Sequence, residues 1–335
     1  MVEKMNVKEE WKEKGFVDEP VSPSLDLKQE IRRLCQQKDA IILAHYYTRP
    51  EIQEIADFVG DSLALAREAA KTTARVMVMC GVHFMAETCK LLSPDKTVLC
   101  PDLTAGCSLA DSCKADDLRK FKEEHPGYQV VSYVNTTAAV KALTDVVVTS
   151  GNAKKVIDTF PKDAKLIFGP DYNLGNYINS VTGRDMLLWH GGCHVHERFS
   201  VGEIVKLKQE HPHAVVMAHL ECKAPVLAVA DVKGSTATML HYAQDHPEVK
   251  EFIVATEAGI LHEMQRTCPG QTFLPVPPEV SEGGLGCSCT ECEYMKKNTL
   301  EKIYNALKYG WPAVEVAPGI ARDAVKPIER MLSLS

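Results

Sequence analysis

The chain has 335 residues, enough for two or three domains of about 100–150 residues each and a sizeable core. Hydrophobic residues make up 45% and charged residues 25%, with 20 Gly and 18 Pro, a balance that excludes disordered, collagenous and mucin-like chains. The 38 Lys and Arg against 45 Asp and Glu leave a net charge of −7, which excludes a global positive field for nucleic acid or anionic lipid, so an anionic ligand has to be gripped locally. No stretch approaches the roughly 18 unbroken apolar residues of a membrane helix, and the opening MVEKMNVKEEWKEKG lacks the apolar centre of a signal peptide. A folded protein of the cytoplasm, bound to neither membrane nor nucleic acid, is expected.

In chain order, a helical extension over 1–37 comes first, with Cys35 on an apolar face beside Ile31 and Leu34. A pattern then occurs three times. An apolar run ends in polar residues at IILAHYY, VVSYVN and VVMAHLE, whose leading polar residues His45, Tyr133 and His219 stand 88 and 86 residues apart. Each run is followed by a helical pattern, then by an Asp with a hydroxyl five positions later: Asp57 and Ser62, Asp145 and Ser150, Asp231 and Thr236. These keep the same spacings. After each hydroxyl come a helix, a strand (RVMVMC, AKLIFG, EFIVAT), a helix (FMAETCKLL, LGNYINSV, GILHEMQRT) and a last strand (TVLCP, DMLLW, TFLPV). Strand–helix alternation implies crossover connections and parallel sheets covered on both faces. The expected fold is α/β: three similar three-layer αβα domains over 38–125, 126–212 and 213–305, in a pseudo-threefold arrangement around a common centre. A closing amphipathic segment at 306–335 packs back on the body.

Ligands of open α/β sheets bind beyond the carboxyl ends of the strands. That selects His45 to Tyr47, Tyr133 to Asn135 and His219 to Glu221, and also the cysteine segments that follow the last strand of each unit. Twelve cysteines in a reducing compartment point to metal, redox chemistry or burial rather than disulfides. Cys35, Cys80 and Cys100 lie in apolar text and read as core. Cys107, Cys193 and the group Cys287, Cys289 and Cys292 lie in the Gly-containing segments TAGCSLADSC, HGGCHVHERF and GGLGCSCTEC. One thiolate per unit, Cys107, Cys193 and one of the last three, would suit an iron–sulfur cubane with one iron left open. The rival is a tetrahedral zinc on Cys193, His196, Cys289 and Cys292.

Ser62, Ser150 and Thr236 stand at helix starts, where backbone N–H groups favour anions. They read either as helix caps or as a cradle for a polycarboxylate or phosphate. No dinucleotide or nucleoside-triphosphate loop motif occurs in a strand-to-helix setting. His125, His211, His213 and His246 fall in surface-turn text, whereas His190, His194 and His196 flank Cys193, with a structural and a ligand-orienting role both open. His45 and His219 are candidates to donate to a carboxylate. Tyr47, Tyr133 and Glu221 supply groups for acid–base work on carbon acids and imines.

At these residues the chain resembles the quinolinate synthase (NadA) family, from about Ala40 to Leu332. The resemblance rests on AHYYTRPEIQEIADFVGDS, GVHFMAETCKLLSP, CSLADSC, YVNTTAAVKA, VTSGNA, FGPDYNLGNYI, GGCHVHERF, HLEC, GSTATML, FIVATEAGI and CTECEYMKKNTL. It implies three αβα domains holding an oxygen-sensitive [4Fe-4S] cluster. It also implies condensation of iminoaspartate with dihydroxyacetone phosphate to quinolinate, phosphate and water in NAD biosynthesis, with functional coupling to an L-aspartate oxidase. By the same resemblance, Cys107, Cys193 and Cys292 are the cluster ligands. His45, Ser62, Tyr133, Val134, Asn135, Ser150, His219, Leu220, Glu221 and Thr236 bind substrate and product carboxylates. Tyr47 resembles the family's proton-transferring tyrosine, and the acid–base reading of the strand ends adds Glu221 and His219 to it as expected catalytic residues. Two places depart from the family pattern: its His-Pro-Glu reads His219-Leu220-Glu221, and its C-x-x-C-x-x-C reads Cys287-x-Cys289-x-x-Cys292.

Overall fold

A computed structural model describes residues 7–279 and 290–335. It contains three four-stranded parallel sheets flanked by helices, each a three-layer αβα arrangement. The first sheet holds β1 (Ala40–His45), β2 (Phe58–Gly60), β3 (Val76–Cys80) and β4 (Thr97–Leu99), in the order β2-β1-β3-β4. The second holds β5 (Gln129–Tyr133), β6 (Val146–Val148), β7 (Leu166–Gly169) and β8 (Leu187–Leu188), in the order β6-β5-β7-β8. The third holds β9 (Val215–His219), β10 (Val232–Gly234), β11 (Glu251–Ala255) and β12 (Thr272–Pro275), in the order β10-β9-β11-β12. The order is the same in all three, and every pairing is parallel.

The edge strands β2, β6 and β10 are additions to the sequence expectation, and they explain the repeated Asp. The Ile42 N–H donates to Asp57 Oδ2 (2.7 Å), that of Val130 to Asp145 Oδ2 (2.7 Å) and that of Val216 to Asp231 Oδ2 (2.8 Å). The backbone N–H of each Asp returns to the carbonyl of the same partner, at 2.9 Å in all three cases. Each Asp therefore ties the first strand of its sheet to the loop that opens the edge strand. From the first strand the chain moves to one side for the second and to the other side for the third. Such a reversal places a crevice beyond the carboxyl end of the first strand, and His45, Tyr133 and His219 are the last residues of β1, β5 and β9.

By contacts the chain divides into two compact units, residues 1–107 with 293–325 and residues 108–292 with 326–335. The first unit contains the first sheet. Its core joins Ile31, Leu34 and Cys35 of helix Leu27–Lys38 to Ile42, Val78 and Leu99 of the strands and to Ile303, Ala306 and Leu307 of helix Leu300–Tyr309. Each such buried aliphatic side chain contributes about 1.5–3 kcal/mol relative to exposure. Trp11, buried on the short helix Glu9–Lys14, packs against Tyr309 and Trp311 and fastens the N-terminal segment to this core. The second unit contains the other two sheets, and the end of helix Pro318–Leu334 belongs to it, where Arg330 lies over the Phe160 ring. No helix among the described residues is long and apolar enough to cross a membrane.

Candidate functional site

In the second unit, Tyr133 closes β5 and its hydroxyl donates to Glu221 Oε1 at 2.5 Å. Both side chains are buried, as is His219 at the end of β9. The Glu221 backbone N–H donates to His219 Nδ1 (3.3 Å), whereas the nearest Glu221 carboxylate oxygen stands 3.8 Å from that nitrogen, beyond hydrogen-bond reach. A neutral imidazole that accepts at Nδ1 carries its proton on Nε2. His219 Nε2 accordingly donates to Ser150 Oγ at 3.2 Å, leaving the serine hydroxyl proton to point onward. Burial pushes the His219 pKa down to about 4, against the opposing pull of the Glu221 charge, so the ring is neutral at pH 7. For Glu221 burial works upward, yet the His196 charge and hydrogen bond, with His219 and the Tyr133 hydroxyl, outweigh it and hold the carboxyl well below the usual carboxylate range.

His196 is the hinge of this network. Its Nδ1 lies 3.1 Å from Cys193 Sγ and 3.1 Å from Glu221 Oε2, and its Nε2 lies 3.0 Å from Thr256 Oγ1. Cys193, His196 and Glu221 present three ligand atoms within 4.8 Å of one another, a group that could hold a metal ion. The loop carrying Cys193 is fixed by close approach. A Cβ on Gly191 would meet Ser112 Oγ at 2.3 Å and the Pro170 carbonyl at 2.6 Å, so only glycine fits. His194 N–H donates to Ser108 Oγ, and the chain then enters a single 3₁₀ turn, His196–Arg198, which turns His196 inward. Cys292 packs against the same apolar cluster as Cys193. Its N–H donates to the buried Glu257 carboxylate (2.9 Å), whose other oxygen accepts from Gly259 N–H (2.7 Å). Sequence reasoning left the role of His196 open and passed over Glu257. The histidine three residues after Cys193 was the one available signal.

The remaining second-unit candidates sit close to the strand ends. Val134 and Leu220 are buried and Asn135 is half-buried. Thr236 is the first residue of helix Thr236–Asp245, and the cap is Ser235, whose Oγ accepts from Thr238 N–H at 3.2 Å. A Cβ built on Gly151 would lie 3.4 Å from Ser235 Oγ, which puts the Ser150 turn beside this helix start.

The first unit shows the same device. His45 Nδ1 accepts from the Tyr47 N–H (3.1 Å), so its Nε2 bears the proton when neutral, and the Tyr47 ring meets it edge-on at 4.6 Å. Lys296 Nζ donates to the Tyr47 carbonyl (2.8 Å), and Arg49 Nε to the Lys296 carbonyl (3.0 Å). Ser62 begins helix Ser62–Lys71, and Asp61 caps it by accepting from Ala64 N–H. At none of the three helix starts is the hydroxyl singled out from the sequence the cap: Asp61 and Ser235 cap two of the helices, and Ser150 lies two residues before Asn152, the cap position of helix Ala153–Ile157.

Of the ten described cysteines, Cys35, Cys80, Cys89, Cys100, Cys113, Cys222 and Cys268 are buried, and Cys107, Cys193 and Cys292 are half-exposed. Burial pushes the Cys89, Cys100 and Cys113 thiols up to about 12, which disfavours the reactive thiolate. Cys287 and Cys289 lie outside the described residues.

Three parallel αβα sheets of one topology, with acid, imidazole and phenol at the strand ends of the second unit and half-exposed thiols after the last strands, define an α/β protein whose Cys193–His196–Glu221 group could hold a metal ion. The family model for quinolinate synthetase A protein (NadA) matches residues 29–333, and the chain belongs to that family. It is 52% identical over 311 residues to the quinolinate synthase of Nostoc punctiforme, covering 93% of this chain and 94% of the relative. It is 51% identical over 317 residues to that of Trichormus variabilis (95% and 96% covered), and 50% identical over 318 residues to that of Chloroherpeton thalassium (95% and 97% covered).

Proposed function

We propose that this protein is a quinolinate synthase of NAD biosynthesis, a cytoplasmic transferase that condenses iminoaspartate with dihydroxyacetone phosphate, fed by an L-aspartate oxidase. Atom balance requires one phosphate and two waters to leave with quinolinate. The three-domain division and pseudo-threefold centre belong to the same proposal. The observation that carries it is the selective half-exposure of Cys107, Cys193 and Cys292, the three thiols assigned to a [4Fe-4S] cluster. Thiol donors from separate glycine-containing loops suit that group. When bound, the cluster supplies a Lewis-acidic iron for a substrate oxygen.

The protein's own residues bind the substrate and move its protons. His45 and His219, each accepting a backbone N–H at Nδ1 and so turning Nε2 outward as the donor, hold substrate carboxylates together with Ser62, Ser150, Thr236 and the Asn135 amide. Val134 and Leu220 keep water from the wall behind them. Glu221, kept ionised, takes the proton from carbon during enolisation, oriented by Tyr133 and His196. Tyr47 returns and removes protons during isomerisation and ring closure.

Anaerobic incubation with both substrates, with quinolinate read by chromatography, is the test. Quinolinate that requires dihydroxyacetone phosphate supports the assignment, and its absence from fully iron-loaded protein sinks it. The Cys193–His196–Glu221 group favours one second reading, a single zinc in place of a cluster. Metal analysis separates the two, since zinc without sulfide would replace iron with sulfide.

A further inference from the structure

Among the described residues, Lys141 is the largest side chain fully removed from solvent, with 0% exposure. Withdrawing a lysine from water is costly unless its ammonium is satisfied. Its Nζ donates to the Val134 carbonyl (2.9 Å) and to the Thr136 carbonyl, the two carbonyls that flank Asn135. The first repeat contains the same device in another chemistry. Gln53 Nε2 donates to the Tyr46 carbonyl (2.9 Å) and the Thr48 carbonyl (2.9 Å), flanking Tyr47. Lys141 and Gln53 each stand eight residues after the last residue of the first strand, Tyr133 or His45, on the helix that follows the site loop. Thr136 and Thr48 match as well, each donating its hydroxyl back to the strand-end carbonyl, at 3.2 and 2.9 Å. In the third repeat the corresponding residue is the buried Leu227, and the loop is held instead by Asn173 Nδ2 on the Glu221 carbonyl at 3.2 Å.

We propose that Lys141 is a positioning residue for the reaction, a buried clamp that sets the Tyr133–Asn135 loop as Gln53 sets the His45–Tyr47 loop. Both carbonyls are drawn towards the helix. In a planar trans peptide the N–H opposes the C=O, so the Asn135 N–H faces away from the clamp. The same bonds fix the strand-end turn from which Tyr133 reaches Glu221 Oε1. The action is donor geometry, which an amide reproduces at the matching position of the first repeat. The catalytic part of the inference rests on the quinolinate synthase reading; the clamp itself does not.

The experiment compares native protein with Lys141→Met and Lys141→Gln by amide hydrogen exchange without ligand and by anaerobic turnover. Exchange over residues 134–137 should quicken by about tenfold in Lys141→Met and stay within about threefold of native in Lys141→Gln. Turnover should follow, with kcat down by about tenfold in Lys141→Met at near-native KM and restored by glutamine. Native exchange in Lys141→Met, or equal damage in the two variants, overturns the clamp. Exchange that responds as expected while even native protein makes no quinolinate upholds the clamp and rejects the reaction. Slow exchange at distant β-strand amides in all three proteins excludes general unfolding as the cause.

Discussion

The Tyr133 hydroxyl and the Glu221 carboxylate meet at 2.5 Å, joining the ends of β5 and β9, which belong to different sheets. A phenol donating to a buried carboxylate both orients it and favours its charged form. Tyr133→Phe removes that donor while keeping the ring. Steady-state kinetics should show kcat/KM lower by about 100-fold, with the melting temperature nearly native. Unchanged turnover would remove Tyr133 from the proton-handling machinery.

His219 predicts a pH signature. Burial sets its folded pKa at about 4, below the ordinary value of 6.5. Between those values the unfolded chain binds a proton that the folded chain refuses. Stability from this group is therefore whole above pH about 6.5 and falls as pH drops towards 4, by about 3 kcal/mol in total. Urea midpoints at pH 7 and pH 4.5 should separate more for native protein than for His219→Gln, by the equivalent of about 2–3 kcal/mol. Equal separations would mean that the imidazole titrates freely.

The three aspartates that tie β1, β5 and β9 to their edge-strand loops make a prediction about the fold. Asp145→Ala and Asp231→Ala each leave a strand N–H without its carboxylate partner. Each should lower stability by about 1–2 kcal/mol in chemical denaturation. Asp57→Ala also loses the exposed Arg32 ion pair, which adds little. Native stability in all three would show that the backbone bond alone closes the corner.

The repeat was legible because apolar runs of four to six residues such as AIILAH, QVVSY and VVMAH are long enough to register, and because their terminal residues recur at nearly constant spacing. The edge strands Phe58–Gly60, Val146–Val148 and Val232–Gly234 are too short to show a period. The Asp pattern was visible, but its partner lies 15 residues upstream, so its purpose was not. Ser62 and Thr236 open their helices as the sequence indicates, but which of two adjacent polar residues caps each one depends on the backbone turn, and it is Asp61 and Ser235. His196 could not be chosen over His190 and His194 without the turn that aims it. Lys141 and Glu257 carry no local signal at all, since only the packed loops reveal which carbonyls and N–H groups they satisfy.

The most direct measurement combines iron and sulfide content with quinolinate turnover on the same anaerobically reconstituted samples of native protein, Cys193→Ser and Cys222→Ser. Cys193 is half-exposed beside His196, whereas Cys222 is buried with its thiol raised by burial. Native protein and Cys222→Ser should hold about four irons and four sulfides and form quinolinate until exposed to air. Cys193→Ser should lose both the cluster and the product. A full cluster and native turnover in Cys193→Ser would contradict the proposed centre, and the half-exposed thiols would then need another explanation.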